Sequence, residues 1–460
     1  MASESCTISI KLLIDQETNK VILAEAGNDF VDTLRTLLTF PLGNIARLVG
    51  KYPISQPGCL NNLYNSVENL GLNSFRSHAC KSMLLYPRSI HEDKSKNLKL
   101  LIDFTEPTKC SCGELMSREI KLWERDAATD ETEGVLCKVE SMFFITDDLR
   151  VMQGFPGHLI NFLSDLGVEN VNHIAVKVLE IGPEEISHLL SHSLLSKTTF
   201  TDVFLRKQEN LSSRPMVDEQ FMLGAVNMKE ETTKNDGKIS VNVMLRKSDR
   251  KIVCAKASGN FVDLLFSFLT IPLESVLELL RGKGSLAVGS ISNLFTDLDS
   301  IFSITKQKAP KGVILPPFYS CSNEFPDIKS LQPPEYFCHS DWETKRICLS
   351  RTHCRFSYTE VVKLLKLLDP KSTKVNTTNS RGYVHSGSLF VVTDDLVVKS
   401  LSSVSSIALL QEIGIRPADV EQQVINIGEA EARALLRACL CSSSPLSVLL
   451  DVKQPKEEPF

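Results

Sequence analysis

Three thiols and an imidazole early in the chain have the makings of a soft-metal site: Cys110 and Cys112, one residue apart and followed by Gly113, with Cys80 and His91 upstream. Thiolate and imidazole are the ligands tetrahedral Zn²⁺ prefers, and a glycine relaxes the turn between them. Cys338, Cys348, His353 and Cys354 form a second such group. Zinc is therefore the cofactor these residues nominate. A C-x-C pair without a matching second pair more often marks an ordinary exposed turn, in which case no cofactor is expected. The aspartate pairs Asp147-Asp148 and Asp394-Asp395 each stand in a Thr-Asp-Asp-Leu motif and offer the oxygen ligands that hard cations take. Adjacent strand residues point to opposite faces, which spoils chelation, so these aspartates are expected to build a turn.

Acid–base and nucleophilic chemistry find less. Asp32 and Asp263 fall on a predicted helix without a His or Glu that the sequence assigns as partner, so a solvated helix face is expected of them. The glycine-rich run from Gly282 to Gly289 lacks the residue order that places a lysine at phosphates and reads as a loop. No H-E-x-x-H, G-x-S-x-G or strand-bounded G-x-G-x-x-G occurs, and no catalytic residue is nominated.

The elements that must position these groups occur twice. Ile8 laid on Ile239, an offset of 231, stays in register to Leu42 on Leu273. It matches Ile8, Ser9, Lys20, Ala24, Ala26, Phe30, Val31, Asp32, Leu34, Leu38, Thr39, Pro41 and Leu42. Unrelated segments of that length share roughly two residues, so the chain is an internal duplication. Asn62-Leu63-Tyr64 faces Asn293-Leu294-Phe295 at the same offset, and Phe143 to Leu149 faces Phe390 to Leu396 at an offset of 247. Apolar alternation from Ile8 to Ile14, a turn at Gln16 to Asn19 and a second run from Lys20 to Ala26 predict a β-hairpin opening each copy. A helix capped by Asn28 or Asp29 follows, with Phe30, Leu34, Leu37 and Leu38 on one face and Pro41 or Pro272 past its end. The second copy's helix is apolar nearly all round, which points to burial against the sister copy as well. A strand (142–146, 389–393) then runs into the aspartate turn and a helix (158–166, 405–413) stopped by Gly167 or Gly414. The fold class is α+β, in two tandem modules at 1–205 and 239–452, joined by a polar linker at 206–238 and ending in a disordered tail at 453–460.

Composition bounds the rest. With 460 residues, 42% hydrophobic and 23% charged, the chain has the make-up of a globular protein with more than one core. Its net charge of -5, from 51 basic and 56 acidic residues mixed along the chain, lacks the basic stripe that nucleic acid requires. No signal peptide, transit peptide or membrane span is evident, and 13 cysteines read as reduced thiols, so a soluble cytoplasmic or nuclear protein is expected.

The motifs Ala24 to Asp32, Leu38 to Gly43, Gly58 to Tyr64, Cys110 to Gly113, Thr146 to Leu149 and Ser196 to Val203 together resemble a plant family labelled "protein of unknown function 674" over about Thr7 to Val452. The second copy departs from it where Cys110-Ser111-Cys112-Gly113 is replaced by His353-Cys354-Arg355-Phe356, which puts a shared thiol site in doubt there. The resemblance implies no reaction. The expected function is a non-enzymatic binding or scaffold protein meeting protein partners through its diverged loops. A zinc-stabilised module and an enzyme acting on a small metabolite between the two copies are the alternatives.

Overall fold

Alternating apolar residues place Ile10, Leu12 and Ile14 on one face of β1 (Ile8–Asp15), which pairs antiparallel with β2 (Lys20–Ala26) through a turn closed by Asn19 at φ 50°. The computed structural model describes residues 7–50, 58–87, 142–206 (without 156, 166, 169 and 170), 239–281, 288–305, 337–341, 347–350, 359–364, 382–402 (without 386), 411, 414 and 416–451. Helix α1 (Asn28–Leu38) buries Phe30, Val31, Leu34, Leu37 and Leu38 against the hairpin. Its cap is not the expected Asn28 or Asp29 side chain but Gly27, whose extended backbone serves without a side-chain bond, glycine being tolerated at that position. Strands β3 (Met142–Thr146), β4 (Val151–Gly154) and β5 (Ile174–Ile181) complete an antiparallel sheet in the order β4-β3-β2-β1-β5.

The second half repeats this plan. Strands β6 (Ile239–Arg246) and β7 (Ile252–Ser258) form its hairpin, followed by α7 (Gly259–Phe268). With β11 (Leu389–Thr393), β12 (Val398–Ser400) and β13 (Val420–Ile427) they give the order β12-β11-β7-β6-β13, strand for strand the order of the first sheet. The duplication in the residues is thus a duplication of topology. A separate three-stranded sheet, β10-β8-β9, is built from β8 (Phe337–Asp341), β9 (Ile347–Ser350) and β10 (Thr359–Leu364).

Helices pack around the two sheets. The first half contributes α2 (Leu42–Gly50), α3 (Leu60–Asn69), α4 (His78–Leu85), α5 (His158–Asp165) on the far face of the first sheet, and α6 (Pro183–Leu195). The second contributes α8 (Leu273–Arg281), α9 (Ile291–Thr305), α10 (Glu429–Cys441) and α11 (Val448–Asp451). Gly167 and Gly414 take the positive φ expected past a helix end, 76° and 69°. The helix expected at 405–413 lies for the most part outside the described residues, as do the linker and the tail.

The two copies exchange helices. From the first copy, α3 packs on β12 and α7 of the second; from the second, α9 packs on β4 and α1 of the first. Ile10, Leu12 and Phe30 therefore share one continuous hydrophobic core with Val241, Leu245 and Phe261. Phe75 stacks on Phe266 across the halves, ring centroids 6.2 Å apart. The apolar residues all round α7 are explained by this burial against both copies. A smaller cluster of Leu13, Leu23, Phe144 and Leu163 sits on the far face of the first sheet. Among the described residues no helix is long and apolar enough to cross a membrane.

Candidate functional site

The duplicated Thr-Asp-Asp-Leu motif forms a polar network in each half. At the end of β3 the chain turns with Leu149 at φ 59°, and after β11 with Leu396 at φ 61°. Both leucines are buried, so core packing offsets the cost of about 1–2 kcal/mol that a non-glycine residue meets in this region. The threonine closes the turn: Thr146 Oγ1 donates to Asp148 Oδ1 at 2.5 Å and accepts from the Arg150 amide at 3.1 Å, and Thr393 does the same with Asp395 and Val397. The expected turn role is what the geometry shows.

The first aspartate of each motif reaches within its own half. Asp147 accepts from the Thr201 amide (2.8 Å) and hydroxyl (2.6 Å), and Asp394 from the Ser447 amide (2.8 Å) and hydroxyl (2.7 Å). The second aspartate reaches the other half. Asn293 Nδ2 donates to the Asp148 carbonyl (2.9 Å) and carboxylate (3.2 Å), and Asn62 Nδ2 to the Asp395 carbonyl (2.9 Å) and carboxylate (3.2 Å). One turn further along the exchanged helices, Ser66 Oγ accepts from the Val398 amide and Asp297 Oδ2 from the Val151 amide. Two residue pairs thus brace each copy's exchanged helix against the other copy's turn. Replacing Asn62 with alanine is expected to cost about 1–2 kcal/mol, read as a lower urea midpoint with unchanged slope, because the Asp395 carbonyl loses its donor.

Backbone joints reinforce the brace. Pro41 and Pro272 face each other in an antiparallel bridge, with Leu42 N–H bonded to the Ile271 carbonyl and Leu273 N–H to the Phe40 carbonyl, both at 2.9 Å. The Cys59 amide donates to the Cys439 carbonyl and the Ser290 amide to the Ser196 carbonyl, again at 2.9 Å. The corresponding side chains differ: a buried hydroxyl pair, Thr199 and Ser290 at 2.6 Å, lies at one joint, and the thiols of Cys59, Cys439 and Cys441 at the other.

Burial pushes both inner carboxyls up to about 6, against the lowering by their Thr201 and Ser447 donors. A carboxyl raised in the fold holds its proton more tightly there than in the unfolded chain. Stability from it is full below about pH 4 and falls as pH rises toward about 6. Relative to an Asp147→Asn/Asp394→Asn variant, the wild type is expected to gain about 1 kcal/mol for each group as pH falls from 7 to 5. Thermal unfolding at both pH values checks this; equal pH dependence in the two proteins would refute it.

The thiol calls fare differently by position. Cys80 lies in the first turn of α4, fully buried, with its sulfur 3.1 Å from Ser77 Oγ. Cys110, Cys112, His91, His353 and Cys354 lie outside the described residues. Cys338 and Cys348 lie in β8 and β9, where the strand register pairs Cys338 with Leu349 and His339 with Cys348. Among the described residues no three His, Cys, Asp or Glu side chains converge to hold a metal. Asp263 is not on a solvated face: its Oδ1 accepts from the amides of Tyr383 (2.6 Å) and Val384 (2.9 Å), anchoring the segment before β11. A contact 120 residues away in sequence overrides the surface role that helical position alone suggests.

A family model described as Protein of unknown function (DUF674) matches residues 4–110 and 106–430. No curated protein and no solved structure matches the chain.

Proposed function

We propose that the chain, which belongs to the family described as Protein of unknown function (DUF674), is a non-enzymatic binding or scaffold protein whose fused copies present diverged surfaces to a protein partner. One observation carries the reading: the polar residues the copies share are spent on closing the turns within each half and on holding the halves together. The aspartates of both Thr-Asp-Asp-Leu motifs have their oxygens engaged by Thr201, Ser447, Thr146, Thr393 and the two exchanged asparagines. Groups so occupied are poorly placed to act as bases or ligands, and what differs between the copies is left to make recognition.

A cytoplasmic or nuclear setting in a plant cell completes the proposal. It is supported by Cys59, Cys80, Cys254, Cys439 and Cys441, all free thiols, and by the family likeness. The test is affinity capture with the full chain against a chain in which the polar segment 370–381 is replaced by a glycine-serine linker. A partner captured by the first and lost by the second supports the reading. Turnover of a small metabolite by the purified chain, or bound zinc near one equivalent per chain, would favour the alternatives.

A further inference from the structure

Strand β5 is outermost in the first sheet, and among the described residues no strand pairs with its other edge. The Gln16 amide donates to the His173 carbonyl, which sets the phase of the ladder with β1: Ile174, Val176, Val178 and Glu180 turn their N–H and C=O toward the open side. Their side chains lie on the far face of the sheet, where Val176 stands opposite Leu13 of the small apolar cluster. Val176 is nevertheless 64% exposed and Val178 59%. Sheets commonly guard such an edge with a proline, a bulge or short length. β5 has eight residues and no proline, and it pairs with β1 in one unbroken register.

The duplication supplies a comparison within the same molecule. Strand β13 stands where β5 does, its Val420 paired with Arg246 as Ile174 is with Asp15. Its outward row reads Val420, Gln422, Val424 and Asn426, so an amide side chain replaces Val176. Both rows face away from the shared core, so packing there does not demand the valine. An unbroken apolar row, Ile174-Val176-Val178, belongs to the first copy's edge and not to the second's.

We propose that this edge pairs antiparallel with β5 of a second copy of the chain, joining the two first sheets across a two-fold axis. The strand's own sequence suits that occupant. Continuity of the far faces allows only registers that set even-numbered residues opposite even-numbered ones. With Val176 on the axis, it meets Val176 of the second copy and each Val178 meets an Ile174, so the row is apolar from end to end. Lys177 then stands opposite Ala175, whereas a register centred on Lys177 would oppose two like charges. Paired edges of this length bury on the order of 1,000 Å² in total, the low end of specific interfaces, so association in the micromolar range is expected. Because β13 lacks the row, the contact closes at two copies. The proposal goes beyond the binding-protein reading and does not rest on it.

The test is sedimentation of the full chain together with amide hydrogen exchange. Wild type is expected to pass from the mass of one chain to that of two as concentration rises through the micromolar range, with the Val176 and Val178 amides exchanging more slowly in the dimer. Val176→Lys/Val178→Lys is expected to weaken association roughly a hundredfold, since each substitution enters the interface twice, while the urea midpoint stays that of wild type. Val424→Lys on β13 is expected to leave the dimer unchanged. A chain that stays monomeric into the high micromolar range overturns the proposal, as does a dimer that keeps its affinity in the double variant or loses it in Val424→Lys. Protection of the β5 amides only when a different protein is added to the monomeric chain would assign the edge to that protein and overturn the pairing of copies. The exchange measurement uses the unaltered chain, so it decides the matter even if the double variant fails to fold.

Discussion

Replacing Gly289 with alanine is expected to destabilise the whole chain by about 4 kcal/mol or more, one of the largest effects available to a single methyl group. Gly289 has φ 48°, where an L side chain is strained by about 1–2 kcal/mol. A Cβ there would also run into the Ser193 carbonyl oxygen and come within 2.6 Å of the Leu194 carbonyl carbon, both backbone atoms at the end of α6. Backbone cannot rotate aside as a flexible side chain can, so the joint between α9 and α6 must open. Gly58, with φ 56°, stands in the same relation to Cys439 and Leu440 on α10, and alanine there should cost a similar amount. The control is Gly27→Ala: its φ is -84° and a Cβ meets no atom within 4 Å, so a change of under about 1 kcal/mol is expected. Urea denaturation of the three variants decides the matter, and equal costs for Gly27 and Gly289 would mean that the joints are not closed as described.

The second large effect is expected at Phe266, fully buried on α7 and stacked on Phe75 from the other copy. Truncation to alanine removes the ring and leaves a cavity, at about 3–5 kcal/mol. The informative readout is where that loss appears. With one continuous core, amide hydrogen exchange at Leu12 in β1 should accelerate as much as at Val243 in β6, although the substitution lies in the second copy alone. Acceleration confined to β6 would show that the sheets open independently.

Much of the architecture is written in local patterns, and the part that is not has a physical reason. Hairpins, the strands at 142–146 and 389–393 and the aspartate turns follow from two-residue alternation and turn chemistry, both of which act over a few residues. The helix exchange is different. The apolar face of α3, with Leu60, Leu63, Tyr64 and Val67, has the same periodicity whichever sheet receives it. Because the two copies descend from one pattern, either sheet offers it a similar surface, and the joints at Gly58 and Pro41 with the bonds of Asn62 and Ser66 select the distant one. Asn62 and Asn293 did leave a trace, an Asn-Leu-aromatic triplet kept at one offset while neighbouring residues changed. Their partners, at Asp395 and Asp148, belong to a second block with a different offset, so spacing alone could not join them. Asp263 is hidden from local pattern for the same reason: its Oδ1 accepts from the distant Tyr383 and Val384 amides.

Expressing residues 1–205 and 206–460 as separate chains puts the interlock to its most direct trial. Each half alone lacks the helix that covers its sheet, so neither should yield a folded monomer with a cooperative melt, while the two produced together should co-purify as a one-to-one complex. Either half folding alone as a stable monomer, with its sheet intact by circular dichroism, would contradict the exchanged-helix architecture.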